Sequence, residues 1–353
     1  MTQIVFSLIC LSAFLNAKIA DKKNRKASLF VCVAILTLAS GLRGEGVGID
    51  TTLYIHDFIN DFPYGWRFEE PGFRVMSRSI LKLFNNTTIV FLVYAFIINM
   101  LICCRLWDFR KVASFPFMIF LYIMIYYIGT MNVMRQYLAV AIVFWATRFL
   151  ESKKYIVFII FQLIASLIHT TALLGVAYLI IYFWRNATLK QKKIILMPIV
   201  SIGLLIAITI AKYEIPHIEN YFSKKINNIN ITYIYRMFVF CIALLIKRIP
   251  SSYSFMIIKT QSVSKCSFMD IYTLFYFMGI WASSMGMFFM FLSRLGLYYL
   301  MFELVFWGKA IRIGKNRDIC FGLISIYALY VFAHELIFNG SGIFPYYLCF
   351  FER

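Results

Sequence analysis

Acidic residues are scarce in this chain, 16 Asp and Glu against 35 Lys and Arg in 353 residues, and charged residues of both signs make up only 14%. Soluble domains carry about a quarter of their residues as charges, so a water-facing globule is excluded. The eight cysteines form no CxxC pair and no spaced cluster. Several of them (Cys10, Cys32, Cys103, Cys241, Cys320) lie within apolar stretches and read as small core residues. An Asp-rich metal motif and a His-x-x-His pair are also missing, so no metal and no cofactor are expected. No basic residue precedes the first apolar stretch, Ile4 to Ala17, and no small-residue cleavage site follows it. It reads as a retained span instead of a signal peptide.

What is present is apolar. Hydrophobic residues make up 62% of the chain and mean hydropathy is +0.78. A helix needs about 20 apolar residues to cross the hydrocarbon layer, and such stretches recur throughout the chain with short polar breaks between them. Their unbroken length argues against a β-barrel, whose strands alternate. The expected fold is therefore an all-α, polytopic integral membrane protein, with residues 1–353 as a single transmembrane domain. About twelve spans are predicted, near 3–17, 28–42, 88–104, 114–131, 133–147, 155–168, 171–184, 194–211, 232–246, 270–291, 295–308 and 319–338.

The net charge of +19 is spread over many short loops and not gathered on one face, which argues against a nucleic-acid partner. With both termini outside, about two thirds of the Lys and Arg fall in inward loops, as the positive-inside rule requires. Parity then demands a turn near His169-Thr170-Thr171, and another at Gly129-Thr130-Met131-Asn132 just before Arg135-Gln136. Helices of about 15 residues reach only about 22 Å, so both turns should sit below the outer surface. Polar backbone at that depth has to face protein or water, and the two hairpins point to one outward cavity.

The longest outward segment is 43–86. It opens with a glycine-rich run from Gly41 through Arg43, Gly44, Glu45, Gly46 and Gly48 to Asp50 and Tyr54, which offers close backbone approach beside a cation, an acceptor and an amphipathic ring. That mixture suits a sugar-phosphate ligand. Near 72–84 an amphipathic helix is predicted, with Arg74, Arg78 and Lys82 on one interfacial face.

The run from Arg43 through Gly48-Ile49-Asp50 to Tyr54, then Glu70-Pro71-Gly72-Phe73, then Met134-Arg135-Gln136-Tyr137-Leu138-Ala139, then Ala165-Ser166-Leu167-Ile168-His169-Thr170-Thr171-Ala172, resembles the EpsG family of polysaccharide polymerases, relatives of the Wzy O-antigen polymerases. Arg294-Leu295-Gly296-Leu297-Tyr298-Tyr299 is similar to that family's Arg-x-x-x-Tyr-Tyr stretch. Ile49 is a departure, since many relatives read Gly-Thr-Asp. The resemblance implies a metal-independent glycosyltransferase of the bacterial inner membrane whose active site faces the periplasm or cell exterior. It would join undecaprenyl-pyrophosphate-linked oligosaccharide donor and acceptor into O-antigen, capsule or exopolysaccharide. Membrane lipid and a chain-length regulator are the other expected partners.

Developing charge on the departing diphosphate calls for guanidinium groups. Arg135 and Arg294, with Arg43 and Arg236, are the candidates to bind it. His169 or Asp50 is the candidate to orient or deprotonate the attacking hydroxyl, and Tyr54, Glu70, Gln136 and Tyr298 are candidate substrate contacts. Structural alternatives exist. His169 would be satisfied locally at a turn, Arg294 would snorkel to headgroups, and His334-Glu335 reads as a structural pair. In a different functional class, a flippase for the same lipid-linked sugars would also use many spans and buried cations. No internal repeat of the kind common in transporters is visible. An acyltransferase would need a conspicuous histidine motif, which this sequence lacks.

Overall fold

The computed structural model describes residues 2–60, 70–186, 235–238, 241, 264–285, 290–313 and 317–351. Among them no strand occurs. Helices α1 (Thr2–Lys23) and α2 (Lys26–Gly41) form a hairpin. The glycine-rich loop then leads into two shorter helices, α3 (Ile49–Ile59) and α4 (Pro71–Phe84). Next come α5 (Thr87–Asp108), α6 (Phe115–Leu121), a π-helical turn (Tyr122–Tyr127), α7 (Ile128–Asn132), α8 (Met134–Glu151) and α9 (Tyr155–Ile168). A 3-10 turn (Thr170–Val176) leads into α10 (Ala177–Asn186). The later helices are α11 (Ser264–Met285), α12 (Met290–Leu300), α13 (Phe302–Ile313) and α14 (Arg317–Phe338).

By length and composition, four described helical stretches are able to cross a membrane: Thr2–Lys23, Thr87–Lys111, Phe115–Asn132 and Arg317–Phe338. Lys26–Gly41, Tyr155–Ile168 and Thr170–Phe183 are apolar but shorter. The sequence count of about twelve spans thus exceeds the four helical stretches of spanning length among the described residues. Two of its members, 194–211 and most of 232–246, lie outside the described residues. Apolar runs in the sequence mark helices without fixing their length. Tyr155–Ile168, at 14 residues, is about 21 Å long.

Local signals explain several boundaries. Asn85 ends α4 in the left-handed conformation, at φ 47°. Asn86 begins α5 by accepting hydrogen bonds from the amides of Thr88 (2.8 Å) and Ile89 (3.4 Å). On α4, Phe73 and Ser77 face inward, with the Ser77 hydroxyl 2.6 Å from that of Tyr94, while Val75, Arg78 and Lys82 are exposed. The π-helical turn lets adjacent tyrosines reach different helices. Tyr126 donates to Glu303 at 2.6 Å and Tyr127 to the Leu36 carbonyl at 2.6 Å.

Described basic loops near residues 105–113, 148–151 and 312 meet at one end of the bundle. There Arg105, fully buried, pairs with Asp108 (3.3 Å) and Glu151, Arg148 pairs with Asp108 (3.3 Å), and Arg312 donates to the carbonyls of Arg110 and Ala113. At the other end, the C-terminal segment closes over the glycine-rich loop. Gly44 N–H donates to Tyr347 O (2.9 Å), Gly48 N–H to Gly342 O (2.8 Å), Ile49 N–H to Ser341 O (3.2 Å) and Cys349 N–H to Leu42 O (2.9 Å). Glu335 accepts from Ser341 N–H at 3.1 Å, a structural role for that carboxylate. A Cβ on Gly44 would run into the Tyr347 ring. This glycine therefore lets backbone approach another part of the same chain, where the sequence suggested approach to a ligand. Gly44→Val is expected to lift the C-terminal segment off the loop and cost about 1–3 kcal/mol, visible as faster proteolysis near residue 340.

Candidate functional site

Glu70 stands at the amino end of α4, and close packing of that helix on α9 fixes where its carboxylate lies. A Cβ on Gly72 would fall 2.9 Å from Leu167 Cβ, so glycine permits the approach. Helix α9 ends at Ile168, and His169 follows in extended conformation. The Glu70 carboxylate, with its side chain only 10% exposed, bridges two partners. Its Oε1 lies 2.6 Å from His169 Nδ1, and its Oε2 accepts from Arg135 Nη1 at 3.0 Å. Because a carboxylate only accepts, Nδ1 carries a proton. Nε2 of His169 is buried and has no hydrogen-bond partner. In the neutral ring that nitrogen is a lone-pair acceptor.

Helix α3, too short to span a membrane, brings further residues to Arg135. Its residues Asp50, Tyr54 and Asp57 follow one another at i, i+4 and i+7, one stripe of a helix. The Asp50 amide is capped by Asn132 Oδ1 at 3.0 Å, which ties α3 to the end of α7. Arg135, at the start of α8, has its guanidinium carbon 5.4 Å from the Tyr54 ring centroid and 5.5 Å from that of Phe73. Burial holds the Asp50 carboxyl above its ordinary pKa, and the charges of Arg135 and Arg294 pull it back down. Both arginines therefore act on the same carboxylate. Two further contacts position α12: Gln136 Nε2 donates to the Arg294 carbonyl (2.9 Å), and the Tyr298 and Thr171 hydroxyls are 3.1 Å apart.

Most of the candidates read from the sequence thus meet at one place: Asp50, Tyr54, Glu70, Arg135, Gln136, His169, Arg294 and Tyr298. Residues 4–348, nearly the whole chain, match the EpsG family model. The chain belongs to the EpsG family. That family comprises Wzy-like polysaccharide polymerases, glycosyltransferase-type enzymes of the membrane. No curated protein and no solved structure matches the chain.

Two EpsG-motif or neighbouring arginines are held elsewhere. Arg43 is 3% exposed, donates from Nε to Thr51 Oγ1 (3.2 Å) and from Nη1 to the Ser40 carbonyl, and stacks over Phe91 at 4.5 Å. It supports α3 from behind through Thr51. Burial lowers its pKa to about 10, leaving it charged at neutral pH. Arg236 is buried against Glu303, donating from Nε (3.2 Å) and Nη2 (3.0 Å). Its charge is compensated inside the protein. Among the described residues, no group of three or more His, Cys, Asp or Glu is arranged to hold a metal ion.

The sequence reading missed Asp57, which the α3 stripe would have revealed had residues 49–59 been read as helical. It named Glu70 only as a substrate contact. The partners that make it a bridge lie 65 and 99 residues away.

Proposed function

We propose that this EpsG-family chain elongates a surface polysaccharide by joining oligosaccharide repeat units carried on polyprenyl diphosphate, at the outer face of the bacterial inner membrane. The observation that supports it most is the Glu70 carboxylate held between Arg135 and His169, with His169 Nε2 unpartnered.

His169 Nε2 takes the proton of the attacking sugar hydroxyl. The hydroxyl oxygen bonds to the anomeric carbon of the donor, and the bond from that carbon to the diphosphate oxygen breaks. The diphosphate departs with its electron pair, and Arg135 and Arg294 stabilise the growing negative charge, more in the transition state than in the ground state. Glu70 keeps the imidazole in the required tautomer and stabilises the imidazolium that forms. Asp50 orients the attacking hydroxyl beside the two arginines, and Tyr54, Gln136 and Tyr298 shape the sugar site. Membrane lipid surrounds the site and a chain-length regulator docks from outside.

Purified protein in liposomes, supplied with lipid-linked repeat unit alone, is expected to make a ladder of longer glycans without nucleotide sugar. His169→Ala should slow the ladder about 100- to 10,000-fold while the protein still binds the carrier. Translocation of single units across the liposome without lengthening would instead make the chain a flippase and reject this reading.

A further inference from the structure

Among the buried titratable groups that the mechanism above leaves unused, Asp57 is a carboxylate with an unpartnered oxygen. Asp57 is only 4% exposed, and its Oδ1 is buried with no hydrogen-bond partner. It shares the α3 stripe with Asp50 and Tyr54, and the arginines whose charge acts on it are Arg135 and Arg74. A buried carboxylate oxygen without a donor is unfavourable. Such a group calls for an explanation, and a donor supplied by a bound ligand is one.

The candidate donors are limited by the site. A diphosphate carries no hydrogen to give a carboxylate and is repelled by it. A glycan presents many hydroxyl donors, and carboxylates accept them strongly. Arg135 pairs with Glu70 and also feels the charge of Asp57, so a diphosphate held by Arg135 would lie near α3. Burial raises the Asp57 carboxyl above its ordinary pKa, and nearby positive charge, Arg135 first, opposes that shift.

We propose that Asp57 Oδ1 accepts a hydrogen bond from a sugar hydroxyl of the lipid-linked glycan, and so reads the carbohydrate while Arg135 and Arg294 hold the diphosphate. This inference rests on the polymerase reading and adds to it a residue that senses glycan.

The test uses the full chain in detergent micelles and two probes: lipid-linked repeat unit isolated from the cells that make it, and undecaprenyl diphosphate without sugar. For Asp57→Asn and Asp57→Leu, affinity for the glycan-bearing probe is expected to fall about 10- to 100-fold, the loss of one charge-assisted hydrogen bond. Affinity for the sugar-free probe should stay within about twofold, and ligand-free Tm should stay level or rise, because an unsatisfied buried group has been removed. Equal losses for both probes, unchanged affinity for both, or a lower ligand-free Tm would each overturn the assignment. If the unaltered protein binds both probes but makes no polymer, the polymerase reading fails while the glycan-sensing role of Asp57 is still decided by the two affinities.

Discussion

Glu70→Ala is expected to abolish polymer formation while leaving a folded protein in the membrane. The substitution removes the only acceptor that the described residues offer His169 Nδ1–H, and the carboxylate paired with Arg135. The imidazole then loses both its tautomer and its orientation. Loss of a positioned acid or base typically costs about 100- to 10,000-fold in rate. Stability should suffer less. The Arg135 side chain is 25% exposed and keeps its place against Tyr54 and Phe73, so water and the aromatic rings compensate part of its charge and the folding loss should be about 1–2 kcal/mol. Glu70→Gln separates the two functions of the carboxylate. It retains an acceptor and the side-chain shape but not the charge, and should fall between the wild-type and alanine proteins. The ladder assay and a thermal melt on the same preparations check the prediction. Alanine variants that polymerise within a few fold of wild type would show that Glu70 does not position His169.

The helical character and the ends of many helices were legible because they depend on neighbours in sequence. Asn85-Asn86 closes one helix and opens the next through contacts no more than four residues away. The turn at His169 followed from charge parity between the basic loops, and α9 does end at Ile168. The turn expected at 129–132 falls slightly later, at Val133, because Ile128–Asn132 continues the helical course of the π turn. Less visible were pairings between distant segments. Tyr347 gives Gly44 its reason, and Glu303 gives Arg236 its reason, yet no local pattern connects either pair. The segment 341–349 carries no local signal for the same cause. It bonds backbone to backbone with residues 42–49, which leaves no signature in side-chain type. The candidate site was therefore legible as a set of residues, and its wiring was not.

That limit matters most for Arg236, because the sequence groups it with the diphosphate-binding arginines. Glu303, fully buried, accepts from Arg236 twice, from Tyr126 at 2.6 Å and from Tyr276 at 2.7 Å, so every oxygen is satisfied within the protein. Breaking such a pair leaves a charge stranded in a medium that cannot solvate it. Glu303→Ala should cost about 3–5 kcal/mol, seen as a large drop in folded protein extracted from membranes. Replacing both partners by Met removes both charges together, and apolar replacements of buried pairs are often neutral, so the double variant should recover most of the folded yield. Its activity then decides the role of Arg236. A double variant that polymerises near the wild-type rate makes the guanidinium a structural partner of Glu303. A folded double variant with no ladder places it back among the groups that hold the diphosphate. Glu303→Ala at wild-type yield would mean that the buried pair contributes little, and the compensation argued here would be wrong.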